Sequence, residues 1–271
     1  MAISSDAKFE RPWECRMPAF RIAGGLYFVG NTSGASWLLV TADGPVLFDT
    51  NYPTLETQLL DSIREAGFQP ESIKAIFHTH GHYDHYGATK KLKQMSGATT
   101  YMGKADVQML EERPELGLAN CGKYIFPESP EIDVALEDGD VVTIGGVPIR
   151  CVSCSGHTPG AMSFFFPVEE GGETYTAAIH GGAGLNTLTQ NFVETYGIDC
   201  RQDFLRSIEK MLTEHVDIFL ANHTKMCHTA EKYQLLCQGK NAFVDSGQWQ
   251  EFLHGLKADY EHMCLREQGA K

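Results

Sequence analysis

The stretch "HTHGHYDH", His78 to His85, sets four histidines and an aspartate within eight residues. It overlaps "IKAIFHT", which reads as a short buried strand, and leads into helical spacing through Ala88, Leu92 and Met95. The fold must therefore deliver this cluster at the end of a strand, where α/β sheets present functional groups. Residues two apart on extended chain face the same way, so His80 and His82 can clamp one cation. Asp84 and His85, opening the next helix, can turn toward a second. Zinc suits imidazole and carboxylate, and a catalytic zinc keeps one coordination position for water. Each ion then needs one more ligand from elsewhere in the chain.

Two later histidines lie where strands run out into turns: His157 in "CSGHTPGAM" and His223 in "FLANHTKMC". Both are ligand candidates, with a hydrogen-bonded structural histidine as the competing role. His78, two residues before His80 and still in the strand, reads as packing beneath the site. Asp49 ends the "PVLFDT" strand, where a carboxylate can orient a metal-bound imidazole or, equally, serve the turn. His180, after "TYTAAI", falls near enough to be considered. His228 and Cys227 lie too far into the following helix to share an ion with His223. His215, His254 and His262 read as surface or helix-packing residues.

From Phe20 to Phe48 the chain reads as strands broken by glycine turns. Thr54 to Ala66 has helical spacing through Leu55, Leu59 and Ile63, with Thr54 as its N-cap and Gly67 as its stop. A second helix is expected from Asp84 to Met95, stopped by Gly97. Residues 112–133 carry Pro and Gly without periodicity, which suggests a loop over a site. "DVVTIGGVPIRCVSC" reads as a hairpin turning at Gly145-Gly146. "VDIFLAN" is a strand among later helices, and the last amphipathic helix carries Trp249, Phe252, Leu256, Tyr260 and Met263 as core. Strands followed by helices occur twice with no linker between. The expectation is an α/β fold in one domain over 1–271, with 1–18 as an N-terminal extension.

At 42% hydrophobic residues the chain can bury a large core, yet no apolar run approaches the ~20 residues of a membrane helix. The net charge of −13 argues against nucleic acid, which needs clustered Lys and Arg. The first residues lack the apolar stretch of a secretory signal, so a cytoplasmic protein is expected. Eight cysteines spread along the chain make no disulfide framework, and eight free thiols are expected. Cys151 and Cys154 form a lone C-x-x-C, read as buried thiols on a strand.

The pattern H-x-H-x-D-H, followed by "GHTPG" and "ANHT", resembles the metallo-β-lactamase superfamily along nearly the whole chain. It is most similar to the third subclass of metallo-β-lactamases, B3. The resemblance implies an αββα sandwich of two similar halves with metals at one edge of the sheets. It implies two zinc ions per chain, one held by His80, His82 and His157, the other by Asp84, His85 and His223. Many lactonase, phosphodiesterase and glyoxalase-II-like members place a metal-bridging Asp where this chain reads Gly181, Gly182, Ala183 and Gly184. The Cys ligand of the first two subclasses is absent at the same point, and so are serines common in B3 enzymes, for which Asn186 is a substitute. Cys237 matches one half of a disulfide found in secreted B3 enzymes, and its partner region "EHVDIFL" has no cysteine. His82, where iron-binding relatives carry Glu, favours zinc.

A zinc pair lowers the pKa of bound water to about 7, and the resulting hydroxide attacks a carbonyl-like carbon. Asp84 is then the catalytic carboxylate that orients it. The expected substrate is a small amide-like or cyclic acyl molecule, β-lactams included. Lactone, thioester or isothiocyanate hydrolysis on the same metals is the alternative, and a non-catalytic metal-binding homologue the rival outside enzymes. Trp13, Tyr124 and Phe126 are candidates for the substrate wall, with core packing as their competing role. The partner is thus a small molecule, and the sequence leaves the oligomeric state open.

Overall fold

The computed structural model describes residues 7–121, 124–126 and 129–269; the side chains of Cys121 and Tyr124 fall outside that description. Two sheets face each other. The first has the order β1 (Phe20–Ala23), β2 (Leu26–Phe28), β3 (Trp37–Thr41), β4 (Gly44–Phe48), β5 (Ala75–Phe77), β6 (Thr99–Gly103) and, at its far edge, β9 (Val134–Leu136). A separate ribbon pairs β7 (Asn120–Cys121) with β8 (Tyr124–Ile125). The second sheet runs β10 (Val141–Ile144), β11 (Val147–Ser153), β12 (Met162–Glu170), β13 (Glu173–His180) and β14 (Ile218–Ala221).

In each sheet antiparallel neighbours come first and parallel ones last. Parallel neighbours need a crossover, which helices supply. These are α2 (Glu56–Glu65), the pair α3 (Tyr83–Tyr86) and α4 (Thr89–Ser96), and α5 (Lys104–Glu112) in the first half. In the second half α6 (Gln190–Tyr196) and α7 (Arg201–Met211) precede β14. Two further helices, α8 (Thr229–Cys237) and α9 (Gln248–Gly269), close the chain, and a short α1 (Ala7–Glu10) opens the described part.

Strand alternation sorts side chains between two cores. Val46 and Phe48 of β4, with Phe77 of β5, turn inward against the second sheet, where Phe48 stacks on Phe166 at 5.1 Å. Leu47, Ile76 and Leu38 turn outward against Leu59, Ile63 and Leu92 of α2 and α4. Both faces are covered, so these strands read as unbroken apolar runs rather than alternating ones. On the far side Phe204, Ile208 and Met211 of α7 and Trp249, Leu253, Tyr260 and Met263 of α9 pack on the second sheet. The layers are helix, sheet, sheet, helix, as the resemblance implies. No helix is long and apolar enough to cross a membrane among the described residues.

Several local expectations hold. The β10–β11 hairpin turns at Gly145 and Gly146, both at positive φ (52° and 82°), which a tight hairpin turn requires. Cys151 and Cys154 are buried, and burial pushes their thiols up to about 12 and about 11. The seven cysteines described are all free. Two expectations fail. Thr54 does not cap α2; a 3-10 turn, Pro53–Leu55, precedes the helix, and the Thr54 hydroxyl donates instead to the Lys8 carbonyl at 2.5 Å. The helix expected from Asp84 to Met95 is two helices, broken at Gly87 and Ala88. Position 87 must be glycine: a Cβ there would lie 2.3 Å from the Pro53 nitrogen and 2.4 Å from the Asn51 carbonyl oxygen.

Candidate metal centre

β5 ends at Phe77, and the chain then bends through residues 79–82 before α3 begins. These bends, rather than an extended strand, bring His80 and His82 together, with ring centroids 4.7 Å apart. His157 leaves the turn after β11 and comes within 4.7 Å of the His80 ring and 4.6 Å of the His82 ring. His223 follows β14 and lies 5.0 Å from the His85 ring. The result is two groups, His80–His82–His157 and Asp84–His85–His223, each offering ligand atoms within 4.8 Å of one another.

Hydrogen bonds set the imidazole tautomers. The Nδ1 atoms of His80, His157 and His223 face the carbonyls of Gly181 (2.9 Å), Gly184 (2.8 Å) and Ser33 (3.0 Å). Nδ1 of His85 faces Asp49 Oδ2 at 2.7 Å. A carbonyl or carboxylate can only accept, so each of these Nδ1 atoms carries the proton and each Nε2 keeps a lone pair. His85 Nε2 is buried with no hydrogen-bond partner among the described residues, while Asp84 Oδ2 stands 3.6 Å away from both it and His223 Nε2. A buried lone pair costs free energy unless something fills that gap. A divalent cation fits: neutral imidazoles and one carboxylate are the donor chemistry of zinc.

The electrostatics of five of the six donors favour the metal-binding form. Burial holds His80 and His82 well below the ordinary imidazole range, helped by the neighbouring imidazoles, and takes His157 down to about 4. Burial also lowers His223. His85 differs: burial works to lower it, but Asp84 and Asp49 outweigh that and raise it. Burial works to raise the Asp84 carboxyl, and the imidazoles of His85, His223 and His82 outweigh it, holding Asp84 ionised. Neutral imidazoles and an ionised carboxylate are the forms that bind metal.

The remaining histidines lie outside both groups. His78 has each ring nitrogen engaged, Nδ1 at 2.9 Å from the Tyr101 carbonyl and Nε2 at 2.7 Å from Thr89 Oγ1. Asp49 takes three donors: the Thr79 N–H and hydroxyl, each at 2.7 Å, and His85. It holds this position at φ 56°, a left-handed conformation unusual for a non-glycine residue. His180 is buried against Trp249 and Phe252, and His215 pairs with Asp217 at 2.9 Å.

A cleft of about 370 Å³ opens over the two groups, lined by Lys8, Tyr52, Tyr83, Asp84, Leu118, Asn186, Asn222 and Met226 together with His82, His157 and His223. Asn186 is therefore at the cleft, and Leu118 brings the 112–133 segment to it. Trp13 is not: it stands 66% exposed on the 3-10 turn Pro12–Cys15, and Lys8 of α1 occupies the wall instead. Phe126 is one layer back, stacked on Tyr83 at 5.0 Å and against Phe9 at 5.6 Å. The Tyr124 side chain falls outside the described residues. The glycines at 181–184 have a packing reason. A Cβ on Gly181 would lie 2.2 Å from the Met162 carbonyl oxygen, and one on Gly184 would lie 2.6 Å from His157 Cε1. Residues that pattern reading missed are Asp106, Thr79 and Asn222, whose amide donates to the Gly181 carbonyl at 3.0 Å. "ANHT" names Asn222 without signalling its role.

Comparison with known proteins agrees with this architecture. The structure of the FEZ-1 metallo-β-lactamase from Legionella gormanii superposes with a TM-score of 0.84 at 28% identity, covering 94% of this chain and 98% of that one. BJP-1, a subclass B3 metallo-β-lactamase of Bradyrhizobium japonicum, gives 0.85 at 24% identity over 96% and 98% of the two chains, a likeness of fold. A probable metallo-hydrolase of Burkholderia pseudomallei is 27% identical over 160 residues, 58% of this chain and 52% of that protein. The chain spans about half the length of the first curated relatives it matches. The family model described as the metallo-beta-lactamase superfamily matches residues 29–170, just over half of the 271. With that match, and with its two facing sheets and paired donor groups at their edge, the chain belongs to the metallo-β-lactamase superfamily.

Proposed function

We propose that this protein is a dinuclear zinc hydrolase acting on small amide-like or cyclic acyl substrates, β-lactams among them. His80, His82 and His157 would hold one ion and Asp84, His85 and His223 the other. The observation that carries this reading is the pair of converging donor groups, with the buried lone pair of His85 Nε2 aimed into one of them. Bound zinc would supply acidified water and a Lewis acid for a developing oxyanion.

The chain's own residues do the rest. Asp84, ionised and on the cleft wall, would orient the attacking water and take its proton at a carboxylate oxygen. Asp49 holds the His85 ring with Nε2 forward, and the Gly181 and Gly184 carbonyls do the same for His80 and His157. Tyr52, Tyr83, Leu118 and Met226 offer the substrate an apolar wall, and Asn186 a polar contact at the rim. The net charge of −13 suits a small molecule rather than nucleic acid.

Reconstituted protein should retain about two zinc ions per chain and turn over at least one member of a panel containing a β-lactam, a lactone and a thioester. Elemental analysis returning one ion or fewer, or iron in place of zinc, would refute the dinuclear zinc reading. Two bound ions with no turnover across the panel would refute the substrate class.

A further inference from the structure

Asp106 lies in the first turn of α5, fully buried, and its carboxylate bridges two segments remote in sequence. Oδ2 accepts the Gly81 N–H and the Thr158 hydroxyl, each at 2.7 Å, and Oδ1 accepts the Gly160 N–H at 2.7 Å. Gly81 stands between His80 and His82, and Thr158 and Gly160 follow His157. All three of these bonds therefore end on chain that carries one donor group, the three-histidine one.

The packing around it leaves little slack. A Cβ on Gly160 would lie 2.2 Å from the Asp106 nitrogen, and one on Gly103 would lie 2.0 Å from the Gly160 carbonyl oxygen. The loop after His157 is thus pressed onto the start of α5, with the Asp106 carboxylate closing the joint. Asp49 differs: its carboxylate holds the His85 ring of the other group, and through the Thr79 backbone and hydroxyl it also borders His80, whose Nδ1 lies 3.2 Å from Thr79 Oγ1.

We infer that Asp106 is a positioning residue for the three-histidine metal position alone, whereas Asp49 supports the second position directly and borders the first through Thr79. One position can then be weakened without the other. Asp106 touches neither the cleft nor a donor nitrogen, so its action passes through the loops it joins. The inference rests on the dinuclear reading above.

The test titrates zinc into metal-free wild-type protein, Asp106→Asn, Thr158→Val and Asp49→Asn against a competing chromophoric chelator. Cobalt(II) spectra of the same proteins distinguish the all-nitrogen position from the carboxylate-bearing one. Asp106→Asn keeps the side chain's size but turns an amide NH₂ toward a donor, breaking at least one of the three bonds. It should weaken the three-histidine position by roughly 10–100-fold and leave the second at wild-type affinity. Thr158→Val should weaken the same position less, because both backbone bonds survive. Asp49→Asn should weaken the second position and, through Thr79, the first as well. Unchanged affinities in Asp106→Asn, or equal weakening at both positions, would overturn the inference; if that variant does not fold, unchanged affinities in Thr158→Val overturn it. Wild-type protein that binds two ions but hydrolyses nothing in the panel leaves the inference standing and removes only the substrate reading. Wild-type protein that binds fewer than two removes both.

Discussion

His78 and His85 belong to one sequence cluster, and their neighbours give them opposite chemistry. His78 spends both ring nitrogens on the Tyr101 carbonyl and the Thr89 hydroxyl, so it has nothing left for a metal. His85 spends one on Asp49 and keeps the other open. On the proposed mechanism, Asp84→Ala should abolish turnover by several orders of magnitude, since it would remove both a ligand atom and the group that takes the proton. The fold should survive, because the residue lies at a cleft edge and contributes no core volume. His78→Ala should lose roughly 10–100-fold, typical of a residue that supports ligands without being one. Steady-state kinetics with zinc content measured alongside decides the matter. Near-native turnover and two bound ions in Asp84→Ala, with both lost in His78→Ala, would move the site onto His78.

Among the elements, the break between α3 and α4 does the most to shape the site. It lets His85 sit at the end of a short helix while the chain passes close under the Asp49–Pro53 turn, where Gly87 donates to the Asn51 carbonyl at 2.8 Å. Gly87→Ala has no room for its methyl group, and the turn carrying Asp49 must move. Overpacking of this kind costs about 1–3 kcal/mol or more. Gly67→Ala is the control. That glycine ends α2 at φ 92°, and a methyl group there would meet no atom within 4 Å, so only backbone strain of about 1–2 kcal/mol applies. Urea denaturation should show both losses, but only Gly87→Ala should also weaken zinc binding through the displaced Asp49. Equal zinc affinity in the two variants would show that the turn does not transmit the strain.

For the molecule as a whole, pH dependence follows from buried imidazoles. His180, packed against Trp249 and Phe252, is taken by burial down to about 4 from an ordinary 6.5. Between those two values the unfolded chain binds the proton and the folded chain does not, so stability rises with pH across that window. The contribution is fully present above 6.5 and is lost as pH falls through about 4. At about 1.4 kcal/mol per unit, it amounts to roughly 3 kcal/mol. Asp106 acts in the opposite sense, because burial raises it to about 6 and its unfolded carboxyl ionises first. Comparing metal-free wild type with His180→Leu separates the two: the variant should lose less stability than wild type between pH 7 and 4. Parallel urea midpoints over that range would show that His180 carries none of the acid sensitivity.

Much of this protein was legible in its sequence because the relevant signals are local. A strand running into "HTHGHYDH", Gly-Gly at a hairpin, and apolar spacing in the last helix each depend on residues a few positions apart, and the structure has all three, though the strand ends at Phe77 rather than Thr79. The six candidate ligands were legible too, from residue type and their place after strands, and the structure gathers them into two groups. What only tertiary structure decided are contacts between remote segments. Thr54 was free to cap α2 until the Lys8 carbonyl, 46 positions away, claimed its hydroxyl. Position 87 must lack a side chain because the turn at Asn51–Pro53 fills the space where one would stand. Trp13 left the cleft and Lys8 entered it through the path of the N-terminal segment, which no periodicity encodes. Asp106 looked like one more acid in the first turn of a helix until folding set two glycine N–H groups and a threonine hydroxyl around it. A propensity or a period acts along the chain, whereas a buried polar group is defined by whichever donors the fold brings to it.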